Sequence, residues 1–599
     1  MKTIWLTVGA FILSIALTGC SFNQDEGDYD VVVYGGEPEG VAAAVAAARS
    51  GANTLLIAER DGLGGLMTYG MLNYLDVAHD KDGNPANTGI FKEWHKMVGN
   101  KPSFDVVEGK EAFHTLVENE ENITLMTEAQ VKSVEKEGKK LTGITVAHDG
   151  EDVTIQGRTF IDSTQDADLA VLADVPYTLG REDTGLMDTK MAVTLMIHVD
   201  NVDWEGIKRA VEEETFGPAQ ILKNAAWGFS ELHTAYTPVE ENTRLRGLNI
   251  ALQNDGSVYI NALQIFGVDG LNEEDKQAAI EKGIRETDAI VAYLQENFPG
   301  FEDAEVASYP DELYVRETRH IQAEYQLNIM DVCENNDQWD SIGFGGYPVD
   351  VQATSVNDWG IVVCNPVQYA VPFRSLVPLE VDGLLVASRS SGYTSLAAGS
   401  ARVIPIGMTA GQAAGIAATR MEDSERTLRE VANDESWVAT LQAMLVEQGV
   451  NLYPFDLPHM YEGEWFYEGI QTVMRYGMIK GGYQNDIGAD DPMTSGEFHG
   501  TLKELLRRTN PENPPVYPNV TATDGNVTRN EAASVVLALN GLNESGTPWE
   551  TARTEGLISE VLFSKVTENR ELAKKEVYAL MGEVIRRAEE RQSHSDTEG

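Results

Sequence analysis

The segment from Asp30 to Arg60 constrains the fold more than any other part of this chain. Its apolar and small residues predict a buried strand over 30–34, a helix over 39–49 and a second strand over 54–58. Two parallel strands joined by a helix form a βαβ unit, which normally belongs to a sheet covered by helices. The segment therefore predicts an α/β fold with a parallel sheet.

Glycines and an acidic residue stand at the ends of this unit. Gly35 and Gly40 flank the predicted helix start, and Glu59 follows the second strand. In dinucleotide-binding units such glycines let the backbone approach a pyrophosphate at the helix N-terminus, and the acid binds the ribose hydroxyls. We therefore expect this end of the sheet to bind a dinucleotide.

One position departs from the pattern, because Glu37 stands where the middle glycine is usual. A carboxylate about 4 Å from a phosphate, at an effective dielectric constant of about 20, would cost about 4 kcal/mol. In a helix that binds no nucleotide, Glu37 and Glu39 would simply complement the helix dipole. This segment alone leaves two interpretations open: a dinucleotide site with Glu37 turned away, or a plain βαβ unit.

The first twenty residues predict export. Lys2 is followed by an apolar run over 4–17, which is shorter than a membrane-spanning helix needs, and then by Leu17-Thr18-Gly19-Cys20. This ending resembles a bacterial lipoprotein signal, which implies lipidation of Cys20 and a membrane anchor on the extracytoplasmic face. An ordinary signal peptide or an uncleaved anchor would give the same export.

Charge and cysteine content limit the partners and the cross-links. The chain has 95 acidic and 45 basic residues, a formal net charge of −50, which disfavours nucleic acid as a partner. Besides Cys20 there are only Cys333 and Cys364, so we expect no disulfide framework and interpret both as buried thiols. A single bridge between them is the alternative. No histidine or cysteine spacing matches a metal site, so no metal is predicted.

Composition divides the chain into several parts. The predicted parts are a signal peptide over 1–19, a tether over 20–28, an α/β body over 29–430 with an inserted lobe near 185–355, a linker over 431–454, a small all-α domain over 455–590 and a tail over 591–599.

Three helix starts in the 455–590 region form a weak repeat. Thr528 and Glu531 have the spacing of a capping box, and similar Gly-to-Glu spacings precede two neighbouring helices. The pattern resembles S-layer homology repeats, which implies a cell-wall polymer as a partner. Only 528–531 matches the TRxE motif of those repeats closely, so a helical packing domain without a ligand is the alternative.

Three later segments accompany the βαβ motif: FIDSTQDADLA over 160–170, VPFRSLVP over 371–378, and 383–415, which begins GLLVASR and continues into a helix of small residues. In this order the motifs resemble those of bacterial FAD-dependent oxidoreductases, in the broad class of glutathione reductase and fumarate reductase flavoproteins. The resemblance implies a Rossmann-like FAD/NAD(P)-binding domain with FAD as its cofactor. It also implies that the Glu37 side chain is aimed away from the phosphates.

The same resemblance implies a set of FAD contacts. They are Gly35, Gly36 and Gly40 at the pyrophosphate, Glu59 and Arg60 at the ribose, Gly64 and Gly65 near the flavin, Val131 beside the adenine, Thr164 and Asp168 closing the nucleotide site, and Gly399, Ser400 and Gly407 around the last segment. Pro405 suits a first helical turn because its missing N–H would be unpaired there. The positive end of that helix would stabilise negative charge on a reduced flavin.

Residues on the substrate side are harder to predict. The candidates are Arg316, Arg319, His320, Tyr393, Ser395 and Arg402. Arg316 and Arg319 share one face if their segment is helical, and they would then orient an anionic or hydroxylated substrate; an ion-paired surface is the alternative. Relatives in the resembled family often have a histidine where Ser395 aligns, so the general base is not carried over.

These patterns predict an exported, membrane-anchored FAD-dependent oxidoreductase that exchanges a hydride with a small organic substrate, with carbohydrate-like molecules as one candidate class. The alternative is a cell-surface or wall-binding protein that uses the repeats, with the flavin fold as a scaffold. A nicotinamide-dependent dehydrogenase is a third hypothesis, and it leaves 399–415 unexplained.

Overall fold

The computed structural model describes residues 29–421, 425–459, 461–543 and 546–598. The predicted signal peptide and the whole predicted tether over 20–28, Cys20 included, lie outside the described residues. Within the described ranges, no helix combines the length and the apolar character that crossing a membrane requires.

The strands fall into two larger sheets and several short pairs. In chain order they are β1 (Tyr29–Tyr34), β2 (Thr54–Ile57), β3 (Ile123–Met126), β4 (Gln130–Glu137), β5 (Lys140–His148), β6 (Glu151–Asp162), β7 (Tyr177–Leu179), β8 (Val193–Thr194), β9 (Ile197–Asp200), β10 (Ala219–Ile221), β11 (Ala225–Gly228), β12 (Thr243–Leu252), β13 (Val258–Ile265), β14 (Glu305–Ser308), β15 (Arg319–Ile321), β16 (Ser341–Gly345), β17 (Asp350–Val351), β18 (Ile361–Val362), β19 (Tyr369–Pro372) and β20 (Leu384–Val386).

The helices cover the first sheet and form most of the C-terminal part. In chain order they are α1 (Pro38–Arg49), α2 (Gly65–Thr68), α3 (Ile90–Met97), α4 (Val106–Glu118), α5 (Asp168–Leu172), α6 (Trp204–Glu212), α7 (Ser230–Ala235), α8 (Glu273–Asn297), α9 (Ile329–Cys333), α10 (Ser395–Ala401), α11 (Ile404–Arg420), α12 (Leu428–Ala432), α13 (Glu435–Glu447), α14 (Tyr467–Met474), α15 (Ser495–Thr509), α16 (Arg529–Leu539), α17 (Pro548–Thr554), α18 (Glu560–Lys565) and α19 (Lys574–Glu598).

The first sheet confirms the predicted βαβ unit. Its parallel part has the order β3-β2-β1-β6-β20, and the N-terminal half of β6 continues antiparallel into β5 and β4. The last four residues of β1 are buried, as expected for a strand covered on both faces. The carboxyl ends of β1, β2 and β6 therefore meet at one edge, where ligands of such sheets bind.

Two helices rich in small residues, α1 and α11, cross at backbone contact beside this sheet. A Cβ added at Gly411 would overlap the carbonyl oxygen of Glu39 and lie 2.9 Å from its carbonyl carbon. At Gly415 it would overlap the carbonyl oxygen of Ala43. Larger side chains would separate the helices, so the small residues of α11 fix its N-terminus next to that of α1.

The inserted lobe has its own sheet and core. Its strands have the order β10-β11-β12-β13-β9-β14, with β8 paired to β13, and the long helix α8 packs against β13 and β14. The buried apolar residues of the lobe form a cluster separate from that of the first sheet. An insertion with a sheet of its own can carry side chains to the edge of the nucleotide-binding sheet without disturbing its order.

The C-terminal part packs on the α/β body rather than hanging from a linker. Residues 431–454, expected to be a linker, contain α13, whose Val438, Leu441 and Leu445 are buried. The C-terminal helices share one continuous apolar core with the body. The loop around Gly481 also pairs with the body, because the Gly481 N–H donates to the Val363 carbonyl at 2.9 Å.

The interpretation of the two described cysteines as buried thiols is wrong. Cys333, at the end of α9, and Cys364, just after β18, form a disulfide with their Cα atoms 5.8 Å apart. Both cysteines are buried. Burial is expected for apolar thiols and for a disulfide alike, so it does not distinguish the two interpretations. The bridge ties the segment that receives the Gly481 loop to α9.

Candidate functional site

The predicted glycine turn adopts a conformation that only glycine accepts readily. Gly35 has a φ of +122°, and an added Cβ would lie 2.7 Å from the carbonyl carbon of Ser163. No side chain caps the N-terminus of α1, which begins at Pro38. The turn therefore offers a backbone surface and free helix N–H groups to an anion.

A cavity of about 220 Å³ opens over this turn, and we call it the glycine-loop cavity. Seven of the predicted cofactor residues line it: Gly35, Gly36, Glu59, Arg60, Gly65, Thr164 and Asp168. Burial raises the pKa of Glu59, which accepts a hydrogen bond from the Tyr34 hydroxyl. Glu59 thus stands at the carboxyl end of β2, where an acid would meet ribose hydroxyls.

The other six predicted cofactor residues do not line this cavity. Gly40 and Gly407 pack behind it on Gly35 and Glu39, Gly64 packs on Phe113, Val131 donates its N–H to Tyr34, Gly399 packs on Val349, and Ser400 donates to the Tyr347 carbonyl. Their contacts with protein atoms make them supports of the cavity walls.

Glu37 does not point away from the cavities. It lines the glycine-loop cavity, and its carboxyl group occupies the space beside Gly65, where Gln165 donates to it at 3.3 Å. Desolvation, with Glu312 and Glu39 nearby, raises the pKa of Glu37 well above its usual value. Burial thus favours the neutral form of Glu37, and a neutral carboxyl does not repel an anion.

A second cavity of about 270 Å³ adjoins the first, and we call it the arginine cavity. The two share Glu37, Gln165, Val315 and Arg389 as lining residues. The arginine cavity is also lined by Val403, Ile404 and Pro405, so α11 begins at its wall. The two cavities form one elongated site with a helix N-terminus at each part.

Charged and phenolic groups of the arginine cavity come from distant parts of the chain. Arg402 Nη1 donates to the Tyr314 hydroxyl at 2.7 Å, and the Arg316 guanidinium lies 4.1 Å from the centre of the Tyr314 ring. On another wall, burial raises the pKa values of Asp76 and Tyr347, and the Asp76 carboxylate raises that of Tyr347 further. The cavity thus holds a phenol next to cations and a phenol next to a carboxyl group.

Only two of the six predicted substrate-side residues, Arg316 and Arg402, line this cavity. Arg316 and Arg319 do not share a helix face, because residues 313–318 form no helix and Arg319 begins β15. Arg319 instead donates to the Asp168 carboxylate at 2.9 Å. Arg316 lines the arginine cavity, whereas Arg319 lines neither of the two cavities.

Three other predicted residues are buried away from both cavities. His320 Nε2 lies 3.0 Å from Glu317 Oε1, and the Ser395 hydroxyl donates to the same carboxylate. The side chains of His320 and Glu317 are each 2% exposed, and Tyr393 is 1% exposed. None of the three lines a described cavity. Their cluster is only partly hydrogen-bonded, because His320 Nδ1, Glu317 Oε2 and the Tyr393 hydroxyl are buried without a partner among the described residues.

The sequence patterns did not indicate Tyr314, Asp76, Tyr347 or Asp350 as site residues. Tyr314 precedes Arg316 by two positions, so alternation in an extended segment would put both side chains on one side. Tyr347 lies in the segment 343–348, which matches segments expected near the substrate side in the resembled family, but it was not singled out as a candidate. Asp76 and Asp350 are brought to the cavity by long-range packing, for which the local sequence carries no signal.

The chain is similar to known flavoproteins. The sequence model of a family described as FAD dependent oxidoreductase matches residues 30–445. No curated protein matches. Similar solved structures include a geranylgeranyl bacteriochlorophyll reductase-like protein from Thermoplasma acidophilum (14% identity, TM-score 0.33, covering 70% of this chain and 84% of that one). They also include the flavin-dependent brominase Bmp2 (10% identity, TM-score 0.36, covering 71% and 90%).

Proposed function

Because this chain belongs to the family of FAD-dependent oxidoreductases, we propose that it oxidises or reduces a small hydroxylated molecule bound in the arginine cavity. The substrate is carbohydrate-like in its polarity, and it exchanges a hydride with FAD. The observation that carries the proposal is the position of the arginine cavity. It adjoins the dinucleotide cradle, and the N-terminus of α11 ends in its wall.

The described residues fit FAD. The Gly35 turn is a cradle that a Cβ would fill, the N-terminus of α1 has no side-chain cap, and the buried Ser163 hydroxyl oxygen has no hydrogen-bond partner among the described residues. Gly35, Gly36 and Glu59 would hold the adenosine and pyrophosphate parts. Bound FAD supplies a two-electron hydride acceptor or donor.

The wall of the arginine cavity favours a hydroxylated substrate. Amide side chains from β12, β13 and the segment after β17 line it, namely Asn249, Asn261, Gln264 and Gln352. Amides both donate and accept, which suits hydroxyl groups. Gln264 already donates to Gln352 at 3.0 Å, so the cost of an apolar substrate, about 1–3 kcal/mol for each amide left unpaired, falls on Asn249 and Asn261. Tyr74 and Tyr483 add flat apolar surfaces of the kind on which sugar rings pack.

Tyr483 belongs to the C-terminal helical part, so that part contributes to this cavity. Its loop is held to the body by Asn365, whose N–H donates to Asn485 Oδ1 at 2.7 Å. We infer that the helical part completes the substrate site as well as packing on it.

We also propose that the protein acts outside the cytoplasmic membrane, anchored through a lipid on Cys20. The support is the resemblance of residues 1–20 to a lipoprotein signal. Mass spectrometry of the membrane-extracted protein should find the lipidated Cys20 peptide, and an unmodified N-terminus would contradict the anchor.

Anaerobic reduction of bound FAD by a panel of sugars, polyols, hydroxy acids, amines and apolar alcohols tests the main proposal. We expect bleaching of the flavin absorbance by at least one polyhydroxylated compound and none by apolar alcohols of similar size. If only amines or apolar compounds bleach the flavin, the substrate class is wrong.

A protonated Glu37 has a testable consequence for FAD binding. The pKa of Glu37 is raised, so the neutral form persists at higher pH than for an ordinary glutamate. As pH rises through that pKa, the carboxylate appears beside the pyrophosphate and FAD affinity should fall, by about tenfold or more since repulsion at close range costs over about 1.4 kcal/mol. Glu37→Gln should keep FAD affinity constant over the same pH range.

Fluorescence titration of FAD into the wild type and Glu37→Gln at several pH values measures this effect. Glu93→Gln is the matched control, because Glu93 pairs with Arg49 at the far end of α1. Equal pH dependence in the wild type and Glu37→Gln would contradict the protonated state.

A second candidate function, binding of a cell-wall polymer, is favoured by one observation. The segments that begin α15, α16 and α19 exchange backbone hydrogen bonds in a ring: Met493 donates to Leu572, Leu572 to Val527, and Val527 to Met493, at 2.9–3.2 Å. This three-part arrangement supports the resemblance to S-layer homology repeats. Pull-down of the full-length protein and Arg529→Gln with purified cell wall tests it, and equal absence of binding to walls and to an unrelated polysaccharide would contradict it.

A further inference from the structure

Tyr314 occupies a fixed position in the wall of the arginine cavity. Its backbone pairs with Thr194 of β8, with the Tyr314 N–H donating to the Thr194 carbonyl at 2.8 Å and the Thr194 N–H returning a bond of 3.0 Å. The inserted lobe therefore holds this residue by its main chain, which leaves the phenol free to face the cavity. Rigid main-chain support is what a group that must meet a reacting atom requires.

Two guanidinium groups contact the Tyr314 side chain from different directions. Arg402, between α10 and α11, donates to the phenolic oxygen at 2.7 Å. Arg316 lies over the ring at 4.1 Å and is itself held by the Ala192 carbonyl at 2.9 Å. Because an arginine side chain stays protonated and has no acceptor, the phenolic oxygen accepts from Arg402 in either protonation state of the tyrosine.

The charges that face Tyr314 favour its anionic form on balance. Burial and Asp350 raise the pKa of Tyr314, while Arg402 and Arg316 lower it, and the net direction is downward. Tyr347 lines the same cavity, as do the carboxyl groups of Glu37, Glu39, Asp76 and Asp350. Burial, with Asp76 and Asp350, raises the pKa of Tyr347. The two phenols of one cavity are thus driven in opposite directions, an arrangement typical of acid and base pairs.

We propose that Tyr314 is the general base of this site, which removes the hydroxyl proton of the substrate while Arg402 and Arg316 stabilise its phenolate and Tyr347 stays protonated as a hydrogen-bond donor. The inference rests on the proposed function.

The step balances in atoms and electrons. The O–H bond of the substrate breaks and its proton goes to Tyr314 Oη. The C–H bond at the carbon that carries this hydroxyl group breaks as well, and the carbon–oxygen bond becomes a carbonyl. The substrate loses two electrons as a hydride, for which bound FAD would supply the acceptor. The substrate class is accordingly a primary or secondary alcohol within a polyhydroxylated molecule, and in the reverse direction Tyr314 returns the proton to a carbonyl.

The first test needs no substrate. The protein has 21 tyrosines, and NMR of the FAD-loaded protein with tyrosines isotopically labelled at Cζ reports the ionisation of each one. We expect one signal to titrate at lower pH than the others, to vanish in Tyr314→Phe, and to move to higher pH in Arg402→Gln because a cation has been removed. Tyr309→Phe is the matched control, since Tyr309 bonds to Asp288 outside both cavities and its pKa is raised to about 12.

The second test uses the alcohol that reduces the wild type. Tyr314→Phe should lower the rate of flavin reduction by about 100-fold or more and remove the rise of kcat/KM with pH, with FAD content unchanged. If Tyr314→Phe is reduced as fast as the wild type, or if its early titration persists, the assignment is overturned and the proposed function stands. If no hydroxylated compound reduces the wild type, the proposed function fails and the assignment fails with it.

Discussion

Gly40→Ala is expected to give a folded protein that carries little or no FAD. A Cβ at this position would overlap the carbonyl oxygen of Gly35 and lie 3.1 Å from its carbonyl carbon and 3.2 Å from the Ser163 side chain. The two Gly35 atoms belong to the backbone of the pyrophosphate cradle, so the turn itself must move. Overpacking of this kind typically costs about 1–3 kcal/mol, which corresponds to a loss of about 5- to 150-fold in FAD affinity.

The measurement is the ratio of flavin to protein absorbance after purification, followed by FAD titration. Gly500→Ala in α15 is the matched control, because nothing lies within 4 Å of its added Cβ. This control should keep the full FAD content. A yellow, fully loaded Gly40→Ala protein would show that the Gly35 turn does not hold the cofactor.

Gly411→Ala is expected to destabilise the α/β body strongly, although alanine is the better helix former. The added Cβ meets the main chain of α1 at Glu39, which cannot yield without separating the two helices. The helix-propensity gain of about 1 kcal/mol from replacing glycine is too small to offset overpacking at the upper end of about 1–3 kcal/mol. The N-termini of α1 and α11 both line the elongated site formed by the two cavities. FAD should therefore also bind more weakly.

Gly407→Ala, one turn earlier on α11, separates the gain in helix propensity from the clash with the main chain of α1. Its added Cβ meets the side chain of Glu39, with Cγ at 2.8 Å, rather than the main chain, so a side chain must move but the helices need not separate. Urea unfolding should therefore show a larger loss of stability for Gly411→Ala than for Gly407→Ala. Equal stability of the two variants would mean that the approach of α1 and α11 does not limit the packing.

The nucleotide-binding half of the site is the part that local sequence predicts well. A strand, a glycine turn and a helix within one short segment are determined by neighbours in sequence, and β1, α1 and β2 form within one residue of the predicted bounds. The start of α11 follows the same logic, because Pro405 lies in its first turn. Seven predicted residues consequently line the glycine-loop cavity.

The substrate half depends on long-range packing and was predicted only in part. Tyr314 reaches Arg402 because the inserted lobe returns the chain to the N-terminus of α11, and no local pattern encodes that return. His320 and Ser395 have residue types that suit catalysis, yet both contact Glu317 in the core and neither lines a described cavity. Residue type alone does not distinguish a buried network from a catalytic one.

Glu37 shows how one residue can be predicted correctly in its importance and wrongly in its orientation. Electrostatics identified it as the obstacle to a phosphate, and the structure places its carboxyl group beside Gly65, within the composite site. Desolvation raises the pKa of Glu37 and so favours its neutral form, while the side chain still faces the site. A prediction made at fixed protonation state could not include this possibility.

Anaerobic spectroscopy of the purified full-length protein decides whether it is a flavoenzyme for polyhydroxylated substrates. We expect a yellow protein that releases FAD on denaturation, and whose flavin absorbance is bleached by a polyhydroxylated substrate and restored by an oxidant. A protein that is colourless, and stays colourless after refolding with FAD, would contradict it.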